Sequence, residues 1–286
     1  MTRLTIPKTY KLFIGGKFPR SESGRSYRVL SRKGAFVANA AQGSRKDARD
    51  AVRAARGAFP GWSGATAYNR GQILYRIAEM LEGRRAQFAE EIQTLEGGSA
   101  QAARQQVERA IDLWVWYAGW ADKYAQVTGS ANPVAGPYFN LSVPEPTGVV
   151  AIVAPQSGGS LLGLVSVIAP AIVSGNTVVV IPSEQAPLPA ISLAEVLATS
   201  DLPGGVVNIL SGSPAELTPW LAAHADVNAI DLAGCGELDW PELERTASDT
   251  VKRVLFPVQG DSADPSLERI TSLVEVKTVW HTKAVL

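Results

Sequence analysis

Residues 148–181 read GVVAIVAPQSGGSLLGLVSVIAPAIVSGNTVVVI. Two short, nearly all-apolar runs, Gly148–Ala154 and Thr177–Ile181, enclose a longer apolar stretch, Leu161–Ser174. A run that is apolar at every position, not at alternate ones, is the mark of a strand buried on both faces. Parallel neighbours can be joined only through a crossover, and Leu161–Ser174 has the length of a crossover helix. The segment is therefore a βαβ unit, and it sets the reading of the rest.

The same alternation continues downstream. Pro187–Ser200 reads as a helix, Val206–Leu210 (VVNIL) as a strand and Leu217–Ala223 as a short helix. Ala229–Leu232 follows as a fourth strand, and helix Pro241–Val251 closes the series. The pattern predicts an α/β fold with a doubly wound parallel sheet. Such sheets bind ligands beyond the carboxyl ends of their strands. Four loops are thereby singled out: Pro155–Gly159, Pro182–Gln185, Ser211–Ala215 and Ala233–Glu237.

Upstream, Tyr10–Phe18 (YKLFIGGKF) reads as a hairpin around Gly15-Gly16. Ser44–Ala58 is a helix capped by Ser44, with Ala48, Val52, Ala55 and Phe59 at helical spacing. Arg70–Leu95 reads as one longer helix stopped by Gly97-Gly98, and a third helix runs from about Ala100 to Ala125. Its Trp114, Trp116, Tyr117 and Trp120 form a face suited to core packing, or alternatively to stacking a ligand. Tyr138–Pro144 alternates like an exposed or edge strand. Phe256–Pro265 reads as a linker, and Val276–Trp280 as a terminal strand of this domain's edge or for a partner's sheet.

Composition removes several classes of function. The 286 residues carry 27 basic and 27 acidic side chains, so no net charge favours nucleic acid. The single cysteine, Cys235, forbids an internal disulfide, and two distant histidines give a metal no ligand cluster. No signal-peptide core is present, and the longest apolar run is too short for a bilayer span. A cytoplasmic location, with neither nucleic acid nor membrane as partner, is expected.

No strand is followed by the G-x-G-x-x-G dinucleotide fingerprint. Six blocks, however, read together: Ile14–Phe18 (IGGKF), Tyr117–Lys123 (YAGWADK), Glu145–Pro155 (EPTGVVAIVAP), Ala169–Leu188 (APAIVSGNTVVVIPSEQAPL), Leu202–Gly212 (LPGGVVNILSG) and His224–Cys235 (HADVNAIDLAGC). In this order they resemble the aldehyde dehydrogenase superfamily over about residues 10–255. Leu267–Trp280 is similar to that family's last strand, which joins Tyr138–Pro144 in an oligomerisation arm.

The resemblance implies an NAD(P) site and places its residues. The family's Pro-Trp-Asn, whose Asn serves the oxyanion hole, corresponds to Pro155-Gln156-Ser157. Its Lys-Pro-Ser-Glu, which holds the adenosine ribose, corresponds to Ile181-Pro182-Ser183-Glu184, without the lysine. Its Gly-x-Gly becomes Gly212-Ser213-Pro214, and its Gly-Ser-Thr phosphate loop becomes Gly234-Cys235-Gly236, followed by Glu237 and Asp239. Two acids at a helix start repel a pyrophosphate. The candidate cofactor residues are thus Pro155, Ser183, Glu184, Gly212, Gly234 and Cys235.

The general-base Glu position falls on Pro257, which moves no proton. The catalytic domain carrying the nucleophile has no counterpart between the cofactor half and the terminal strand. Cys235 fills the family's Ser position; as a nucleophile it would have a helix N-terminus lowering its pKa and adjacent acids raising it. His224 as a base is the weaker alternative.

The expected organisation is an N-terminal hairpin and helices (1–131), a first arm segment (132–147), a Rossmann-like βα part (148–255), a linker in place of the catalytic domain (256–265) and a terminal arm strand (266–286). The expected function is a non-catalytic structural or regulatory subunit, partnered through Tyr138–Pro144 and Val276–Trp280 with a full-length aldehyde dehydrogenase. Two alternatives stand beside it: an NAD(P)-dependent aldehyde oxidoreductase, and a nucleotide-binding module without chemistry.

Overall fold

The computed structural model describes residues 8–256 and 263–283. Its centre is a parallel sheet of β6 (Val149–Val153), β7 (Thr177–Ile181), β8 (Val207–Ile209), β9 (Ala229–Asp231) and β10 (Arg253–Leu255), in the order β10-β9-β6-β7-β8. β6 lies in the middle, with Val150 opposite both Val178 and Ala229. The chain runs outward through β7 and β8, then returns to β9 on the other side of β6. That reversal makes the crevice between β6 and β9 the topological switch point.

Period-two geometry explains the wholly apolar strands. Val150 and Ile152 enter one core, with α6 (Leu162–Val173) and α7 (Leu188–Leu197). Val149, Ala151 and Val153 enter a second core, with α1 (Arg45–Gly64) and α8 (Pro214–Ala223). Helices cover both faces, so the sheet is doubly wound as expected. α9 (Trp240–Ser248) follows β9. No helix among the described residues is long and apolar enough to cross a membrane.

Over the α6 face lie α2 (Ala67–Glu82), α3 (Arg85–Glu96) and α4 (Ala100–Trp120). Trp114 and Tyr117 of α4 are fully buried, which settles its aromatic face as core. Ser44 caps α1 in a reciprocal box with Asp47. The single helix expected over Arg70–Leu95 is two. Arg84 leaves helical geometry (φ −114°, ψ 12°), and its guanidinium reaches across to Glu195 of α7 at 2.7 Å. The helix expected to reach Ala125 also stops early, at Trp120, and α5 (Tyr124–Thr128) starts afresh on the buried Tyr124.

The N-terminal hairpin is reduced to one bridge, Ile14–Lys17. Phe13 instead exchanges backbone hydrogen bonds with Ile209 at 3.0 and 2.7 Å, extending the open edge of β8. β1 (Thr9–Tyr10) pairs with β3 (Phe36–Ala41), which also pairs with β2 (Ser26–Leu30). The sequence reading contained neither β2 nor β3.

A third sheet is antiparallel: β4 (Ser130–Asn132), β5 (Tyr138–Pro146) and β11 (Val274–Thr282), in the order β11-β5-β4. β5 is central here, not an edge, and pairs with β11 from Tyr138↔Thr282 to Pro146↔Val274. β11 is launched by α10 (Leu267–Thr271), and its start is fixed to the body. Asn176 Nδ2 donates to Leu273 O at 2.8 Å, and Arg253 Nη1 to Val274 O at 2.7 Å.

Candidate functional site

At the carboxyl ends of the strands, the loops after β6 and β9 touch backbone to backbone. A Cβ on Gly234 would lie 1.9 Å from Ala154 O, so no other residue fits, and Gly234 N donates to Val153 O at 2.9 Å. The loop after β8 is held as closely to the β3–α1 connection. Gly43 N donates to Ser211 O at 2.8 Å, and Gly212 turns there with φ +136°. Gly234 lies in the loop at the β6–β9 crevice and Gly212 in the loop after the edge strand β8, and both have a packing reason for being glycine.

Gln156 links the first loop to the second. Its Nε2 donates to Ala154 O at 2.7 Å and Pro182 O at 3.3 Å, and its Oε1 accepts from Glu184 N at 3.1 Å. Ser183 Oγ donates to Gln156 O at 2.8 Å and accepts from Ala186 N at 3.2 Å, which commits that hydroxyl to the loop itself. Glu184 and Ser157 are exposed, and Ser157 lines a pocket shared with Glu96, Pro155, Gln156 and Ser183. Pro155 packs on the first turn of α6, against Gly163.

The turn into α6 is where backbone N–H groups would meet an anion. They are taken by the chain's own side chains. Glu96 accepts from Gly159 N at 3.0 Å, from Ser160 N at 2.8 Å and from the Ser160 hydroxyl. Gln106 Oε1 accepts from Leu161 N at 3.1 Å, and Gln106 Nε2 donates to Glu96 at 3.2 Å. At the other phosphate position, Asp239 caps α9 by accepting from Glu242 N at 3.1 Å. With these donors engaged, the helix starts present do not fit a dinucleotide phosphate.

Cys235 lies in the turn before α9, not at the helix N-terminus as expected, because Asp239 holds that place. It is buried, and burial, with the nearby charge of Asp231, pushes its thiol pKa up. A high-pKa, solvent-excluded thiol is a poor nucleophile. His224 ends α8 at the opposite, amino-terminal edge of the sheet, far from the crevice loops in the topology. Burial lowers its pKa, and its Nδ1 accepts from Asp226 N at 3.2 Å. Pro257 lies outside the described residues.

Four residues that the sequence reading passed over matter here. Glu96 and Gln106 act as above. Tyr27 of β2 places a buried hydroxyl, with no hydrogen-bond partner among the described residues, within the electrostatic reach of Glu184. Asp231 ends β9 as a buried carboxylate whose pKa is raised by desolvation. Only Asp231 had a readable signal, an acid inside an apolar strand. Among the described residues no cluster could hold a metal ion.

Comparison with known proteins agrees with this architecture. The model of the aldehyde dehydrogenase family matches residues 19–263. Cytosolic 10-formyltetrahydrofolate dehydrogenase of Mus musculus is 33% identical over 91% of this chain and 29% of its own. The putative aldehyde dehydrogenase DhaS of Bacillus subtilis is 32% identical over 89% of this chain and 51% of its own. Among solved structures, HpcC from Thermus Thermophilus superposes with a TM-score of 0.80 at 32% identity, over 86% of this chain and 47% of that one. The chain spans about half the length of DhaS, and less of the formyltetrahydrofolate enzyme. The doubly wound sheet, its crevice loops and these matches together place the chain in the aldehyde dehydrogenase family.

Proposed function

We infer that the chain is a non-catalytic member of its family, a structural or regulatory subunit that docks on a full-length aldehyde dehydrogenase. One observation carries this reading. The chain passes from Leu255, the end of β10, to Leu267, the start of α10, through a short connection, and still completes the β5–β11 pairing. The family resemblance would place the catalytic domain within that connection. The arm therefore stands without the domain that normally accompanies it.

The docking surface is the arm. On one face Phe139, Leu141 and Val143 are exposed; on the other, Val276 and Trp280 are exposed, with Trp280 edge-on to Tyr138 at 5.8 Å. Apolar side chains this dense on a narrow sheet suit a protein partner. In a full-length aldehyde dehydrogenase the catalytic-domain sheet would offer an edge for this arm to join. The partner contacts are assigned to Tyr138–Pro144 and Val276–Trp280. The engaged donors around Glu96, Gln156 and Asp239 argue for a role that does not depend on NAD(P), and the lone buried Cys235 suits the cytoplasm.

Co-expression with a tagged full-length family member from the same host tests the reading. The expected result is a stable heteromer that is lost when Val276 and Trp280 are both replaced by lysine. Recovery of the chain only as a free monomer would count against it.

A further inference from the structure

A cavity of about 380 Å³ lies at the carboxyl end of β9 and β10, beneath α10 and beside α6. Its walls are mainly apolar, with Val167 and Pro170 from α6, Leu255 from β10 and Leu273 beyond α10. Asp231 lines it, and is 4% exposed. Its Oδ1 accepts from Ala233 N at 2.9 Å, and its other oxygen faces the cavity's solvent-accessible side without a further protein donor among the described residues. A small, largely apolar cavity with a buried, incompletely bonded carboxylate has the make-up of a small-molecule site.

The surrounding charge selects the ligand. α6 and β6 contain no titratable residue. From α10 and the turn before it, Glu268, Asp264 and Arg269 line the cavity with Asp231, and Arg253 of the adjacent β10 pairs with Glu275, so Glu268 and Asp231 face one base, Arg269, once Asp264 is paired. Arg269 Nη1 donates to Ser166 O at 3.1 Å while its charge still favours the ionised form of Asp231, and Asp264 pairs with Arg109 at 3.3 Å. Cys235, in the adjacent loop, is buried. A buried carboxylate without its full set of donors gains most from a cation that brings N–H groups of its own.

We propose that this cavity binds a small organic ammonium ion, with its charged group on Asp231 and its aliphatic body against Val167, Pro170 and Leu255. Desolvation raises the Asp231 pKa, and an ammonium ion prefers the ionised form. Below that pKa, affinity therefore rises about tenfold per pH unit and then levels off.

The test is calorimetric titration of the full chain with n-butylammonium chloride, with n-butanol and sodium butyrate as chain-length controls. The expected result is saturable one-to-one binding of the ammonium ion alone, weakened at least tenfold by Asp231→Asn. That variant keeps the acceptor for Ala233 N–H, and its fold is checked by circular dichroism. Equal binding of n-butanol would overturn the proposal, as would affinity unchanged in Asp231→Asn, or no saturable binding at tens of millimolar. If Asp231→Asn does not fold, the pH series on the unaltered chain decides: a rise with pH supports the site, and a flat profile rejects it.

Discussion

The carboxylate of Glu96, the last residue of α3, accepts the backbone N–H of Ser160 at 2.8 Å in the turn that opens α6. A side chain from the helical layer thus occupies the position where the parallel sheet would present donors to a phosphate.

Removing that carboxylate orphans the Gly159 and Ser160 amides. An unsatisfied buried donor costs about 1–3 kcal/mol, so Glu96→Ala should lose stability in that range in urea unfolding. Glu96→Gln keeps an acceptor and should lose less. Wild-type stability in Glu96→Ala would show that solvent satisfies those amides already.

Glycine substitutions should split by site. Gly234→Ala forces a Cβ onto Ala154 O and should cost at least about 3 kcal/mol or prevent soluble expression. Gly57→Ala lies on the exposed face of α1 with nothing within 4 Å, and should stabilise by about 0.5–1 kcal/mol. Thermal melts of the two variants check both directions.

The sign of the Asp231 contribution follows from its raised pKa. An acid raised in the folded state contributes stability that is full below its ordinary pKa and is lost as pH rises through the folded value. Asp231→Asn escapes that loss. Its stability relative to the unaltered chain should therefore grow between acidic and neutral pH, then stay constant. A difference independent of pH, measured by urea unfolding across the series, would contradict the burial of an ionisable group there.

Cys235 should resist alkylation. With its thiol buried and its pKa raised, iodoacetamide should label the native chain at least about 100-fold more slowly than the unfolded chain. Labelling at equal rates would restore the thiol as a candidate nucleophile.

Much of this fold is legible in the sequence because its strands are apolar at every position. β7 runs from Thr177 to Ile181 as read, and β6, β8 and β9 fall within a residue or two at each end. What escaped depends on tertiary contacts. β2 and β3 carry no clean alternation, since each strand is only partly covered. The break at Arg84 is stabilised by Glu195, more than a hundred residues away. The loops at the strand ends are legible in the sequence, but the hydrogen bonds within them are not. Glu96 and Gln106 look like ordinary polar residues of surface helices until α6 is packed against them.

The most direct test of the central claim is a rate measurement on the purified chain alone. With NAD⁺ and a panel of aliphatic and aromatic aldehydes, NADH formation followed at 340 nm should not rise above the protein-free rate. Saturable, aldehyde-dependent NADH production by the chain without a partner would contradict a non-catalytic subunit.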